Sequence, residues 1–332
     1  MTELHPALQA ALPALILILG VPVLLLPLVY GFLKIHSHIM SRVGPMYAGR
    51  FHGIGQPLAD FLKFIQKEDT VPALADKPVF RAAPFVILVP AILLFAVIPV
   101  APGVVAADLD LGLFYILAIS GIGAIGIVMA AASSASKFTL IGGLRAVGQI
   151  IAYELPIVFA AASIAMLAGS LNLTRIVEAQ ADLWFVATPF GIVALLLFLA
   201  AALAEVLWAP FDMPVAESEI ITGPLTEYSG MRFLFFYFAE FAHVLALGGV
   251  ISILFFGGWH GPGLGAVPED LAWAVAVFWM TVKISAVCFF FIWIRFTLPR
   301  LREDQLMKFA WKLLIPLGLA NILAVAVYRV LT

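Results

Sequence analysis

Long apolar segments alternate with shorter polar segments along this chain. Eight of the apolar segments reach the roughly 20 residues that a helix needs to cross the hydrocarbon core of a bilayer. The alternation of single apolar and polar residues that is typical of strands is missing. The pattern therefore predicts an all-α polytopic membrane protein that forms a single membrane domain over residues 1–332. The predicted spans are residues 8–32, 82–102, 112–132, 149–169, 184–206, 233–256, 271–294 and 309–330.

A helix of another kind is predicted inside the first polar segment, residues 33–81. In the stretch GIGQPLADFLKFIQKED the apolar residues fall close to helical spacing, while Asp60, Lys63 and Lys67 fall on other faces. Such a pattern is typical of an amphipathic helix that lies at a membrane interface. A helix whose only role is to anchor the chain to the membrane would show the same pattern.

The composition excludes a soluble protein. Only 11% of the 332 residues are charged, against about 25% in soluble domains. A net charge of −2 gives no reason to expect nucleic acid as a partner. The single cysteine, Cys288, rules out a disulfide within the chain, and no Cys/His cluster has iron–sulfur or zinc spacing. We expect no metal site here and place any redox centre on a partner chain.

The distribution of Lys and Arg predicts the orientation of the spans. Fifteen of the 18 basic residues fall in the odd-numbered loops, whereas only Arg175 and Arg329 fall on the other side. Loops that carry excess Lys and Arg are generally cytoplasmic. We therefore expect the odd loops, including 33–81 and 206–232, to be cytoplasmic and both termini to be extracytoplasmic.

The loop at residues 206–232 is unusually acidic for so apolar a chain. The nearest basic residue to its acids is Arg232, and three prolines with two glycines prevent one continuous helix. This composition predicts a loop that can change shape and that handles protons. Its carboxylates are Asp212, Glu217, Glu219 and Glu227.

Four charged residues stand out inside the predicted spans, where a charged side chain costs about 2.5–3.5 kcal/mol on insertion scales. Glu154, Glu205 and Glu240 lie toward the cytoplasmic half, and Lys283 lies near the middle of the seventh span. One such acid could be a structural hydrogen-bonding group, but three beside an acidic loop favour a proton relay. His243, three residues after Glu240, either shares a proton with it or makes a helix–helix contact.

Several long motifs resemble the H subunit family of bacterial NADH:quinone oxidoreductase, respiratory complex I, whose mitochondrial counterpart is NADH dehydrogenase subunit 1. The resemblance covers nearly the whole chain. Its motifs are GIGQPLADFLKFIQKED, ASKFTLIGGLRAVGQIIAYELP, APFDMPVAESEI with TEYSGMRF, and FFIWIRFTLPRLREDQLMKFAWK.

The resemblance implies a subunit in the bacterial cytoplasmic (inner) membrane that joins the redox arm to the antiporter-like arm. It implies a role in the quinone-chamber wall and entrance and at the start of the proton path, with no complete active site on this chain alone. Expected partners are quinone as substrate, peripheral redox-arm subunits, antiporter-like membrane subunits and lipid. The chain itself is expected to bind no cofactor, since FMN and iron–sulfur clusters belong to partner subunits.

Two groups of site residues are predicted on these grounds. The predicted proton-path residues are Glu154, Glu205, Asp212, Glu217, Glu219, Glu227, Glu240, Arg145 and Lys283. The predicted residues of the quinone chamber and its entrance are Phe32, Lys34, Arg42, Asp60, Lys63, Trp208, Leu225 and Arg295.

The chain departs from the family pattern at several charged positions. Phe32 and Lys34 stand at the first and third positions of a usual Glu-Arg-Lys triplet. Trp208 replaces an arginine, Val215 a glutamate and Leu225 a histidine. The resulting motif GPLTEYSG also resembles the equivalent subunit of group 4 membrane-bound [NiFe] hydrogenases.

Three alternatives stay open from sequence. One is the equivalent subunit of a related energy-converting complex, either hydrogenase-type or fed by another donor. A second is an independent secondary transporter, although the chain lacks the internal repeat common in that class. A third is a structural anchor, which leaves the buried acids unexplained.

Overall fold

The structure is a computed structural model that describes residues 6–49, 51–263 and 268–331. The side chains of residues 6–12, 217, 218, 269 and 270 lie outside the described part. The described residues form helices and turns without a β-strand, which confirms the predicted all-α class. The α-helices are α1 (Pro6–Ile39), α2 (Gln56–Gln66), α3 (Lys77–Leu93), α4 (Gly112–Ser133), α5 (Lys137–Ala168), α6 (Leu173–Glu178), α7 (Pro189–Glu205), α8 (Glu217–Ile220), α9 (Gly230–Phe255), α10 (Glu269–Thr297), α11 (Glu303–Phe309) and α12 (Ile315–Leu331).

Within the described residues, seven helical stretches are long and apolar enough to cross a membrane. They match seven of the eight predicted spans and confirm a polytopic membrane protein. The remaining candidate, at residues 184–206, is the apolar 17-residue helix α7. The start of α7 is fixed by Thr188, whose hydroxyl accepts a hydrogen bond from the Gly191 N–H at 3.0 Å, and by Pro189 in its first turn.

Helix α9 is the central helix of the bundle. In its apolar part 78% of the residues are buried, against 17% in α1 and 22% in the stretch that contains α12. The outward faces of α1 and α12 carry exposed leucines and valines such as Leu19 and Leu323. Outward apolar faces around a buried central helix are what a lipid environment requires.

Helix α5 begins at Lys137, about three turns earlier than the span predicted at 149–169. These added turns pack against the acidic loop. A Cβ on Gly142 would lie 2.7 Å from the Cα of Gly223, so helix and loop meet through their backbones. Gly223 itself has a φ of +55°, and a Cβ there would collide with the carbonyl oxygen of Pro214.

The acidic loop, residues 206–229, is irregular as predicted, with short helical turns in place of one helix. It is nevertheless packed into the bundle, since Trp208, Phe211 and Met213 are buried. The buried amide of Gln149 on α5 donates to the carbonyls of Ala204 and Phe211, at 2.7 Å each. These bonds fix both sides of the turn that follows α7.

The predicted amphipathic helix is α2. Its inner face packs on α9 through Phe61 against Phe238, with ring centroids 6.2 Å apart, and Phe64 against Phe233, at 5.8 Å. The segment that follows is tied to the start of α9, where the Arg232 guanidinium lies 3.1 Å from the Asp69 carboxylate. Helix α2 therefore lies at the same end of the bundle as the acidic loop.

Candidate functional site

A cavity of about 340 Å³, the acidic cavity, lies between the acidic loop and helices α3, α4, α5, α7, α9 and α10. Its walls are mostly apolar, and its charged lining residues come from α7, the loop, α9, α10 and the segment after α10. Ionisable groups inside an apolar bundle are expensive to keep and usually serve a function. The titratable and charged residues that line the cavity are Glu205, Asp212, Tyr237, Glu240, His243, Arg295 and Arg300.

Glu240 on α9 is paired with Arg295 on α10. The Arg295 Nη1 donates to Glu240 Oε1 at 3.0 Å, and the Nε1–H of Trp208 donates to the same oxygen. The guanidinium also lies over two rings, 4.4 Å from the centroid of Trp208 and 5.0 Å from that of Phe32. Cation–π contacts reach about 2 kcal/mol where the partners are desolvated. The aromatic rings of Phe32 and Trp208 thus hold this ion pair in place.

Glu205, at the end of α7, has a histidine as its neighbour. Its Oε1 lies 3.4 Å from Nε2 of His243, and its side chain is only 6% exposed. Neither Glu205 Oε2 nor His243 Nε2 has a hydrogen-bond partner among the described residues. The i+3 spacing suggests Glu240 as the partner of His243, whereas the structure places His243 beside Glu205.

Asp212 closes the cavity from the loop side. Its Oδ2 accepts a hydrogen bond from Arg300 at 2.7 Å, while its buried Oδ1 has no partner among the described residues. A charge-assisted bond of this kind is about twice as strong as a neutral one. It ties the loop to the segment that follows α10.

At the rim, Arg145 on α5 joins two acids from different segments. It lies 2.6 Å from Glu219 of the loop and 3.2 Å from Glu303 at the start of α11. Glu303 and Arg300 are not among the predicted site residues. The signal that could have found them is their place in the motif FTLPRLREDQLMKF, where charges follow directly on an apolar span.

The other predicted acids differ in what surrounds them. Glu154 on α5 is half-buried, and its Oε1 lies 2.8 Å from the point that a Cβ of Gly121 on α4 would occupy. It lies close enough to Glu205 for their charges to interact. Glu227 is half-buried, whereas the side chain of Glu217 lies outside the described residues.

Tyr228 anchors the end of the acidic loop. Its hydroxyl donates to the Phe80 carbonyl at 3.1 Å, and its ring stacks on that of Phe80 with centroids 4.0 Å apart. Burial raises the pKa of Tyr228 to about 12, against smaller opposing effects of Ser133 and Arg232. The hydroxyl therefore remains a hydrogen-bond donor at any physiological pH.

A second, mainly apolar groove of about 550 Å³ runs between α1, α2 and α9. Asp60, Lys63 and Lys67 are its charged lining residues, and the Lys63 ammonium lies 3.6 Å from the Asp60 carboxylate. Phe233 and Tyr237 line both this groove and the acidic cavity, so the two spaces share a wall.

The remaining predicted chamber residues do not all lie on the groove. Trp208 and Arg295 lie at the acidic cavity, which Leu225 also lines. Lys34 donates to the Pro45 carbonyl at 2.5 Å and so holds the segment after α1. Arg42, exposed in that segment, donates through its backbone N–H to Ser37.

Lys283 lies apart from the acids, near the opposite end of the bundle. Its ammonium donates to the carbonyls of Phe256, Gly258 and His260 at 2.6, 2.7 and 2.5 Å. It also lies 4.4 Å from the ring centroid of Trp184. All three ammonium protons are thereby used, and the positive charge stabilises the C-terminal end of α9.

These features define a class: an α-helical, multi-pass membrane protein with a charged cavity inside its bundle and an apolar groove beside it. The chain belongs to the NADH dehydrogenase family, whose family model matches residues 12–326. It is 43% identical over 304 residues to the H subunit of the NADH-quinone oxidoreductase of Geobacillus kaustophilus, covering 90% of this chain and 89% of that one. It is 42% identical over 324 residues to the protein of the same name from Anoxybacillus flavithermus, covering 95% and 94%.

Proposed function

We propose that the chain is the membrane subunit of a proton-translocating NADH:quinone oxidoreductase. In this proposal it forms the wall and entrance of the quinone chamber and the first part of the proton path. The observation that carries the proposal is the cavity in which Glu205, Asp212 and Glu240 meet inside an apolar bundle. The family membership and the names of the relatives support the same conclusion.

The groove between α1, α2 and α9 is the proposed route of quinone. Its walls are apolar side chains such as Val29 and Phe238, which suit a long hydrocarbon tail. Asp60, Lys63 and Lys67 add charged and hydrogen-bonding groups that a polar headgroup can contact. Phe233 and Tyr237 line both the groove and the acidic cavity. A change of charge on quinone in the groove would therefore occur only one side chain away from the acids of the cavity.

The proposed mechanism couples quinone reduction to the protonation of these acids. Reduction on the chamber side changes the local charge, and neighbouring carboxylates respond because nearby like charges resist ionising together. Each proton that moves changes the proton affinity of the next acid. Protons would pass from the loop acids, Glu219 and Glu227 among them, to Glu205 and Glu240 and then toward Glu154.

The electron chemistry is placed on partner subunits that carry FMN and iron–sulfur clusters. We place the chain in the bacterial inner membrane with the acidic-loop end facing the cytoplasm, as the distribution of Lys and Arg indicates. The contacts of Arg329, whose Nε donates to the Met166 carbonyl at 3.0 Å, put the C-terminal helix end opposite that loop. This supports an extracytoplasmic C-terminus.

Glu205→Gln and Glu154→Gln, each in the assembled complex in liposomes, test the proposal. We expect both to lower proton translocation coupled to quinone reduction by about 100-fold, the scale of a positioned proton-transfer group. Asp110→Asn is the matched control, because Asp110 is an exposed carboxylate at the opposite end. Full quinone reduction and full pumping in both glutamine variants would contradict the proposal.

A hydrogenase-type energy-converting complex is a second candidate, favoured by the motif GPLTEYSG and by Trp208 in place of an arginine. Purification of the native assembly in mild detergent distinguishes the two. NADH-binding partner subunits support the first, and hydrogenase large and small subunits support the second.

A further inference from the structure

Glu205 at the end of α7 and Glu240 on α9 have different partners. Glu240 Oε1 accepts hydrogen bonds from both Arg295 and Trp208. A proton binding at that oxygen would have to displace these donors. Glu240 is therefore held in one arrangement by its neighbours.

Glu205 has no such cation. Its side chain is 6% exposed, its Oε2 has no partner among the described residues, and its Oε1 faces His243 Nε2 at 3.4 Å. A buried acceptor without a donor costs about 1–3 kcal/mol. A single proton on either group would make one a donor and the other an acceptor, so that Glu205 Oε1 and His243 Nε2 could form a hydrogen bond.

The other charges around His243 do not supply that proton. Arg295 from α10 is paired with Glu240, which lies on the same helix as His243, at 3.0 Å. Arg300, after α10, is paired at 2.7 Å with Asp212 of the loop. The other titratable groups that line the cavity are Asp212, Tyr237 and Glu240, and Glu154 on α5 interacts with Glu205.

We infer that His243 is a proton-relay residue that exchanges protons with Glu205 in the acidic cavity. The inference rests on the proposed function and deepens it by naming a group absent from the carboxylate path. In the step, the O–H bond of protonated Glu205 breaks as an N–H bond forms at His243 Nε2, which leaves a glutamate and an imidazolium. The charge of the pair is unchanged, and return of the proton from Nε2 to the Glu205 carboxylate restores a neutral imidazole.

The nearby arrangement suits this role. His243 and Glu240 are three residues apart on α9, and both line the cavity that Glu205 enters from α7. Imidazole is the side chain that ordinarily changes charge between about pH 5 and pH 8. A proton can thus pass from α7 to α9 without breaking the Arg295 ion pair.

The test uses the assembled complex in liposomes with His243→Gln, which retains hydrogen-bonding groups but cannot titrate. His38→Gln is the control, because His38 is exposed near the end of α1. We expect His243→Gln to lower proton translocation about 100-fold and to remove one titrating step from its pH profile, with both unchanged in His38→Gln.

Normal pumping and a normal pH profile in His243→Gln, beside lost pumping in Glu205→Gln, overturn the inference and leave the proposed function standing. Normal pumping in Glu205→Gln overturns the inference, and normal pumping in Glu154→Gln as well contradicts the proposed function too. If His243→Gln reduces assembly, infrared difference spectra of the unmodified complex on quinone reduction decide. Imidazole bands that shift with ring ¹⁵N labelling in the unmodified complex and vanish in Glu205→Gln support the pair. The inference is overturned if the unmodified complex shows no such bands, or if the bands persist in Glu205→Gln.

Discussion

The guanidinium carbon of Arg295 lies 4.4 Å from the centroid of the Trp208 ring, while the Nε1–H of that ring donates to the same Glu240 oxygen that accepts from Arg295. Trp208 therefore contacts both members of one ion pair and fixes their geometry. Its side chain is 1% exposed, so little water competes with either contact. An uncharged aromatic residue can in this way stabilise an ion pair inside the bundle.

Trp208→Phe tests this relationship. The variant keeps an aromatic face near Arg295 but loses the hydrogen bond to Glu240. Since hydrogen bonds to charged groups contribute about 1.5–3 kcal/mol, we expect a loss of that size, seen as a lower thermal midpoint of the complex in mild detergent.

Trp184→Phe is the matched control for that experiment. Trp184 also lies 4.4 Å from a cation, the ammonium of Lys283, but far from the acidic cavity. We expect its replacement to change the midpoint less. Equal effects of the two variants would show that the bond to Glu240 contributes nothing specific.

Arg145→Gln should loosen the acidic loop with little loss of global stability. Its partners Glu219 and Glu303 are about half exposed, and exposed ion pairs contribute only about 0.2–1 kcal/mol each. The expected result is faster amide hydrogen exchange in peptides that cover residues 213–222. The control is Arg302→Gln, since Arg302 pairs only with nearby Asp304 among the described residues. Unchanged exchange in the loop would exclude this role of Arg145.

Lys283→Met should destabilise the fold by at least about 1–3 kcal/mol, because the buried carbonyl of Gly258 loses its donor at that cost and the half-buried carbonyls of Phe256 and His260 lose theirs too. Lys283→Arg, which keeps a cation and several donors, should lose less. The measurement is the yield and thermal midpoint of the complex, with exposed Lys77→Met as control. Normal stability together with lost pumping would instead place Lys283 in the proton path, as the sequence predicts.

The helical framework could be predicted from sequence because apolar length alone determines which segments cross a membrane. The start of α5 could not, because Lys137 and Arg145 interrupt the apolar run before Gly148, and glycines there weaken the helical signal. Those turns are helical because they pack on the loop, where Gly142 meets Gly223. A contact so distant in sequence leaves no periodic pattern.

The grouping of Glu205 with Glu240 follows from sequence because both acids fall toward the same end of their spans. Their partners cannot be predicted in this way, because spacing gives the depth of a residue along its helix but not which neighbouring helix its side chain faces. Spacing therefore pairs His243 with Glu240, although Glu205 is the acid that it faces. For the same reason sequence groups Lys283 with the acids, although it caps the end of α9.

The stability of the end of the bundle opposite the acidic loop should depend on pH through His260. Burial and, to a lesser extent, the ammonium of Lys283 lower the pKa of His260 below its usual 6.5, with Glu178 opposing. Above pH 6.5 the imidazole is neutral in folded and unfolded chains, so it contributes no pH dependence. As the pH falls below that value, the unfolded chain binds the proton more readily, and the folded chain loses stability. His260→Gln should therefore show a smaller fall in thermal midpoint over this acidic range, whereas His38→Gln should match the unmodified complex. Parallel curves for all three proteins would contradict the assignment.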